Sequence, residues 1–236
     1  KKYWISTSDC DLELWIKGVQ LNSGFKVNIR DANVSLLQIQ GPKSSALVAK
    51  IFGEHILDLR YYWLASVKFN GIDLIISRTG WSGELGYELY LSDYEKGSFL
   101  FNEIMKRGES FSVAAGSVNQ ARRIEAGLLS AGRDFNRYTN PFEVGLGKFM
   151  DMNKGNFIGR DSLLGVDKLT KISGMRVPDG IAKTGKSIFF EDQLIGEVTS
   201  SSWSPYQDCG VSIIRFYEAN LSKSWTSCSF FTKAPY

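Results

Sequence analysis

The stretch RTGWSGELGYELYL, residues 78–91, is the most informative part of this sequence for the fold. Its second half alternates in the way that is typical of a β-strand with two different faces. Glu88 and Tyr90 are therefore expected to lie side by side on one face. The other face carries Tyr87, Leu89 and Leu91. The first half predicts a turn, because glycines at positions 80 and 83 flank Trp81.

The sequence on both sides of this stretch predicts further strands and helices. Asn70-Gly71, between SVKF and IDLIIS, is the strongest short hairpin signal in the chain, because both residues tolerate positive φ. Two capping boxes, at residues 92–95 and 117–120, predict helices that reach Gly108 and Leu128.

The first fifty residues predict two more helices and a strand. Ser8-Asp9 offers an N-cap for a helix that runs to Gln20, and a second helix is expected to follow Pro42. Between them, Phe25, Val27 and Ile29 alternate with polar residues, which predicts a half-buried strand over 25–29.

Helix signals stop near residue 170, and short β-rich pieces take over. These pieces are ISGMRV, SIFF, LIGEVTS and VSIIRF, separated by Gly, Pro and Asp turns. The whole pattern predicts an α+β fold with two domains. The first covers residues 1–170, and the second is a small Greek-key or barrel-like β domain over residues 171–236.

Composition excludes several classes of protein. The 236 residues carry 28 Lys and Arg against 25 Asp and Glu, and a net charge of +3 is too small to indicate a nucleic-acid partner. The apolar stretches are too short for a membrane span, so no membrane partner is expected. Three scattered cysteines and a single histidine, His55, predict neither a disulfide framework nor a metal site. No secretory signal is visible, and the expected location is the cytoplasm.

Residues 180–187, GIAKTGKS, match the phosphate-loop pattern GxxxxGK[ST]. That motif binds phosphate only between a strand and a helix, because the helix N-terminus supplies part of the anion site. The residues that follow, beginning with Ile188-Phe189-Phe190, have no helical periodicity. The sequence therefore predicts a glycine-rich loop between strands, without nucleotide binding.

Longer blocks carry a resemblance to a known family. They are RTGWSGELGYELYL (78–91), RRIEAGLLSAGRDFNRYTNPFEVGLGKF (122–149), NFIGRDSLL (156–164) and LIGEVTSSSWSP (194–205). In order and spacing, these blocks resemble the folate-dependent family that includes the glycine-cleavage aminomethyltransferase. The resemblance implies a tetrahydrofolate-binding fold. It also implies that family members carry a segment before the first residues seen here, so we expect this chain to be N-terminally incomplete.

Within the family, Trp81, Tyr90 and the stretch NPFEVGLGKF resemble the branch that demethylates dimethylsulfoniopropionate. That resemblance implies methyl transfer from a small-molecule sulfonium donor to tetrahydrofolate, which leaves a thioether acid and 5-methyltetrahydrofolate. Two alternatives stay open. One is aminomethyl transfer from a lipoyl carrier protein, as in the glycine cleavage system, and the other is a non-catalytic folate-binding regulatory protein. A homodimer is also compatible with the sequence.

The resemblance also implies roles for four residues. Glu88 is expected to accept N–H donors from the pterin edge, and Trp81 to offer an aromatic face to the sulfonium. Tyr90 is expected to hydrogen-bond substrate or pterin. Asn119 stands where aminomethyltransferases place an arginine that contacts the folate tail. The alternatives are a solvated Glu88, a core Trp81 and a Tyr90 hydroxyl satisfied within the sheet, while Arg78, Arg123 and Glu125 are expected to be structural.

Overall fold

The computed structural model describes residues 2–7, 11–190 and 192–218. The chain forms two compact units, residues 1–117 and 118–236, and each described part has its own antiparallel sheet. This arrangement of helices and sheets confirms the predicted α+β class. Among the described residues, no helix is both long enough and apolar enough to cross a bilayer.

The first unit is built on a four-stranded sheet. Its strands are β1 (Ser35–Gln40), β2 (Leu64–Phe69), β3 (Ile72–Ser77) and β4 (Gly86–Leu91), in the order β1-β4-β3-β2. β2 and β3 form the hairpin predicted at Asn70-Gly71, where both residues have positive φ, 47° and 78°. β4 lies between β1 and β3, so both of its edges are paired.

The described residues of this unit form three α-helices: α1 (Leu12–Leu21), α2 (Ser44–Phe52) and α3 (Gly97–Gly108). Leu47, Val48 and Ile51 of α2, with Leu100 and Ile104 of α3, join the inward side chains of the sheet in one buried core. One face of the sheet is therefore covered by helices. Gln38 and Gln40 of β1 lie on the other face, together with Glu88 and Tyr90 of β4.

The second unit contains the other sheet. Its strands are β5 (Ile172–Val177), β6 (Ser187–Phe190), β7 (Gln193–Ser204) and β8 (Cys209–Phe216), in the order β5-β8-β7-β6, and two short helices precede them, α4 (Gln120–Glu125) and α5 (Arg160–Leu164). Ile124 of α4 packs against Val211 and Ile213 of β8. α4 thus groups with the sheet that follows residue 170, while the assignment of residues 1–170 to a folate-binding domain stays a prediction.

Three local predictions differ from the structure, and a fourth, the N-cap at Ser8-Asp9, falls on residues outside its described part. Residues 25–29 form no strand, because they pair with none of the described strands. Ser8 and Asp9 lie outside the described residues, and Asp11 caps α1 by accepting a hydrogen bond from the Leu14 N–H. The box at 92–95 leads into a 3-10 turn, so α3 begins only at Gly97. The box at 117–120 gives a helix that ends at Glu125, capped by Asn119.

The glycine-rich segment at 180–187 lies between strands β5 and β6, as predicted, while the absence of nucleotide binding stays a prediction. It is followed by strand β6, which begins at Ser187, so there is no helix N-terminus to complete a phosphate site.

Candidate functional site: the polar face of the first sheet

β4 presents two different faces, as its sequence predicts. Tyr87, Leu89 and Leu91 are 1%, 0% and 2% exposed and point into the core. Glu88 and Tyr90 are half-buried and lie on the opposite face. We call this face, with Gln38 and Gln40 of β1 and Ser77 of β3, the polar face.

The register of the sheet gathers hydrogen-bond donors around Glu88. Gln38 and Ser77 both lie directly opposite Glu88, one on each neighbouring strand. The Gln38 Nε2 donates to Glu88 Oε1 at 3.0 Å. Thr79, just beyond the end of β3, donates its hydroxyl to Oε2, and so does the Tyr90 hydroxyl at 3.1 Å. The carboxylate is thus held by donors from β1, β4 and the segment after β3.

These three donors leave acceptor capacity on the carboxylate. Two carboxylate oxygens offer about four lone-pair sites, and one donor occupies Oε1 while two occupy Oε2. All three donors are uncharged, and in the described part of the chain Glu88 forms no ion pair. A ligand that presents N–H groups can therefore hydrogen-bond to a carboxylate whose charge has no cationic partner in the unit.

Tyr90 acts as a donor to this carboxylate. Burial raises the pKa of its phenol above the ordinary value of 10.0, and the charge of Glu88 and their hydrogen bond raise it further, while hydrogen bonds with Ser77 and Thr79 lower it by less. The hydroxyl therefore keeps its proton at neutral pH. The Trp4 and Tyr90 rings pack edge to face, 5.7 Å between centroids and 73° between planes, which restricts the rotamer of Tyr90.

Trp81 is half-buried in the loop that connects β3 to β4. The loop is attached to the start of α2 and the end of β1. The Gly41 N–H and the Ser44 hydroxyl both donate to the Leu85 carbonyl, at 2.8 and 2.9 Å. The structure therefore places Glu88, Tyr90 and the Trp81 loop in the same unit, and it adds Gln38, Gln40 and Thr79, which sequence reasoning missed. Alternation along SLLQIQ could have placed both glutamines on one face of a strand, but only the register of the sheet places them beside Glu88.

Asn119 lies in the second unit, where it has a structural contact. Its side-chain oxygen accepts a hydrogen bond from the Arg122 N–H at 3.2 Å and so caps α4. Its role in binding a folate tail stays a prediction.

Arg123 confirms the expectation of a structural role. Its guanidinium is fully buried and donates to Asp134 Oδ2 at 2.6 Å. Ser200 accepts from Arg123 at 2.7 Å and donates to Asp134 Oδ1 at 2.7 Å. Thr199 adds a further bond to Asp134 Oδ1 at 2.6 Å. This network ties α4 and the loop after it to β7 within the second unit.

The other residues expected to be structural also have partners. Glu125 accepts from Arg122 at 2.5 Å and from the Ser204 hydroxyl. Arg78 donates from its Nη1 to the Leu59 carbonyl at 3.0 Å.

A second cluster of charged groups lies beside a cavity of about 240 Å³ in the second unit, lined in part by Glu143, Lys171 and Arg215. Lys171 Nζ is 2.9 Å from Glu143 Oε1, and the Asn140 N–H donates to Oε2 at 3.2 Å. Burial alone would raise the pKa of Glu143, but Lys171, the Asn140 N–H and Arg215 together lower it below the ordinary value of 4.5. The described residues contain no cluster of side chains suited to a metal ion.

Comparison with known proteins places these features in a family. The model of the GCVT N-terminal domain matches residues 1–154. The dimethylsulfoniopropionate demethylase of Ruegeria pomeroyi is 38% identical over 161 residues, which are 68% of this chain and 44% of that protein. The aminomethyltransferase of Caldanaerobacter subterraneus is 31% identical over 215 residues, 86% of this chain and 57% of that protein. The chain thus spans about half the length of these relatives.

One solved structure has the same fold. The crystal structure of glycine cleavage system aminomethyltransferase T from Bartonella henselae matches with a TM-score of 0.70 at 21% identity. The match covers 87% of this chain and 58% of that chain.

Proposed function

Because the chain belongs to the aminomethyltransferase family that shares the GCVT N-terminal domain, we propose that it binds tetrahydrofolate and transfers a methyl group to it from dimethylsulfoniopropionate. The acceptor is the tetrahydrofolate nitrogen N5. The methyl carbon leaves the sulfonium, and the C–S bonding electrons stay on sulfur. The products are 5-methyltetrahydrofolate, a thioether acid that keeps its carboxylate and has an uncharged sulfur, and the proton released from N5.

The unpaired charge of Glu88 is the observation that carries this proposal. Three other buried or half-buried carboxylates each lie beside a cation: Glu125 beside Arg122, Asp134 beside Arg123 and Glu143 beside Lys171. In the described part of the chain, the donors to Glu88 are all uncharged. The pterin edge presents adjacent N–H groups, which suit a carboxylate that is oriented but not neutralised.

The chemistry of the donor fits a site without an acid catalyst. The thioether sulfur leaves uncharged and needs no proton, so the protein contributes by aligning the methyl carbon with the acceptor nitrogen. The sulfonium has no hydrogen-bond donor, and an aromatic face is its natural partner, contributing about 0.5–2 kcal/mol. We assign that face to Trp81. Trp81→Leu is expected to raise the KM for the sulfonium by roughly 2- to 30-fold and to leave the Kd of tetrahydrofolate unchanged.

Aminomethyl transfer from a lipoyl carrier protein is the second candidate. It is favoured by aminomethyltransferases that match more of the chain than the demethylase does, such as that of Halothermothrix orenii, which is 31% identical over 95% of this chain. Both candidates use tetrahydrofolate as the acceptor, so only the donor distinguishes them.

The test is to incubate the full-length protein with tetrahydrofolate and each donor and to identify the folate product by mass spectrometry. 5-Methyltetrahydrofolate formed only with dimethylsulfoniopropionate supports the proposal. Methylenetetrahydrofolate formed only with the aminomethyl-loaded carrier would assign the protein to the second candidate. Folate binding without turnover of either donor would indicate a non-catalytic folate-binding protein.

A further inference from the structure

Gln40 is the last residue of β1, and its side chain crosses to the loop that carries Trp81. Its Nε2 donates to the Thr79 carbonyl at 3.2 Å, and its Oε1 accepts from the Ser82 hydroxyl at 2.7 Å. Both ends of the amide are therefore used, one on each side of Trp81. A side chain that both donates to and accepts from one short loop fixes its backbone more firmly than a single contact would.

The neighbouring glycines leave the space that this side chain occupies. A Cβ atom added at Gly80 or at Gly86 would overlap the amide group of Gln40. Neither glycine has a positive φ, so an alanine would meet no backbone strain at either position. Gly86 lies directly opposite Gln40 in the sheet. These two glycines are thus explained by the space that the glutamine needs.

The contacts of Gln40 lead to both groups that the proposed function uses. Thr79, whose carbonyl it holds, donates its own hydroxyl to Glu88. Trp81 lies between Thr79 and Ser82, the two residues that Gln40 anchors. Glu88 keeps two further donors, Gln38 and Tyr90, when Thr79 is disturbed, whereas Gln40 bonds directly to residues on both sides of Trp81. Loss of Gln40 should therefore affect Trp81 more than Glu88.

We propose that Gln40 is a positioning residue that holds the Trp81 loop in the geometry required by the methyl donor. The substrate half of this inference rests on the proposed function, while the structural half, that Gln40 fixes the position of Trp81, can be tested without turnover.

The test uses Gln40→Met, which keeps the volume over Gly80 and Gly86 but removes both hydrogen bonds. Gln193→Met, at an exposed strand position of the second unit, is the matched control. We expect Gln40→Met to raise the KM for the sulfonium roughly fivefold, which corresponds to the loss of two hydrogen bonds at the low end of their range. The Kd of tetrahydrofolate should rise by at most about threefold. A merely structural role would instead lower Tm and change both constants alike.

Two double variants test whether the effect passes through Trp81 and through the packed glycine. In the Trp81→Leu background, Gln40→Met should not raise KM further, because the residue it positions is already absent. Gly80→Ala should raise KM as Gln40→Met does, because the Cβ of the alanine displaces the Gln40 side chain. When the two substitutions are combined, their effects on log KM should add up to less than their sum. If the effects on log KM are fully additive in both double variants, the proposal is overturned.

A spectroscopic measurement separates failure of this inference from failure of the proposed function. The emission of Trp81, taken as wild type minus Trp81→Phe, should shift to longer wavelength in Gln40→Met and become at least twofold more sensitive to acrylamide quenching. Unchanged emission and quenching would overturn the positioning role even if the enzyme turns over. If the wild-type protein uses neither donor, the proposed function fails, and the emission alone decides whether Gln40 holds the loop.

Discussion

Replacing Glu88 with glutamine separates the role of its charge from its role in the sheet. The new amide oxygen can keep the hydrogen bonds from Thr79 and Tyr90, which both donate to the same carboxylate oxygen in the wild type. The new amide nitrogen then faces the Gln38 Nε2, but Gln38 can turn its own amide by 180° and accept instead. The network survives with neutral bonds, so we expect Glu88→Gln to change the free energy of unfolding by no more than about 1 kcal/mol.

Folate binding should respond far more strongly. A ligand N–H that met a carboxylate oxygen now meets an amide N–H, and the charge that strengthened the bond is gone. Breaking one partner of a charge-assisted, desolvated pair costs about 2–4 kcal/mol, which is roughly a 30- to 700-fold increase in Kd.

Calorimetric titration of tetrahydrofolate into the full-length protein measures this change directly. Glu95→Gln is the matched control, because it removes the same charge from an exposed position of the same unit. Wild-type affinity in Glu88→Gln would refute the pterin role. An equal loss in both variants would show that only the net charge of the protein matters.

Two further predictions concern stability in the second unit. Because the pKa of Glu143 is lowered on folding, its contribution is fully present above about pH 4.5 and is lost as the pH falls through the folded-state value. Glu143→Gln should therefore have a lower free energy of unfolding than wild type in urea at pH 7, and this difference should shrink toward pH 3. A difference that does not depend on pH would contradict this prediction. Arg123→Met should cost about 3–5 kcal/mol by leaving Asp134 buried without its cation, and adding Asp134→Asn should recover part of that loss; an Arg123 variant within 1 kcal/mol of wild type would contradict the network.

The local patterns of the sequence predicted the elements that depend on local physics. The Asn70-Gly71 hairpin needs two adjacent residues that tolerate positive φ, and the identities of these two residues are enough to predict it. The alternation of β4 likewise predicted which side chains of residues 86–91 are buried. Residues 25–29 show the limit of this reasoning. They alternate just as regularly but form no strand, because a strand needs a neighbour to complete its hydrogen bonds and the sequence does not report one.

The candidate site could be predicted only in part, because its assembly depends on register. Glu88 and Tyr90 are two residues apart, so alternation alone placed them together. Gln38 is fifty residues away from Glu88, and it reaches the carboxylate only because β1 pairs with β4 in one particular alignment. A slip of one residue would turn Gln38 toward the core and bring Leu37 or Ile39 to the polar face, leaving Glu88 Oε1 without its donor. The burial of Ile39 opposite Tyr87 on the core face fixes this alignment. Packing of the core therefore determines that Gln38 lies opposite Glu88 on the polar face.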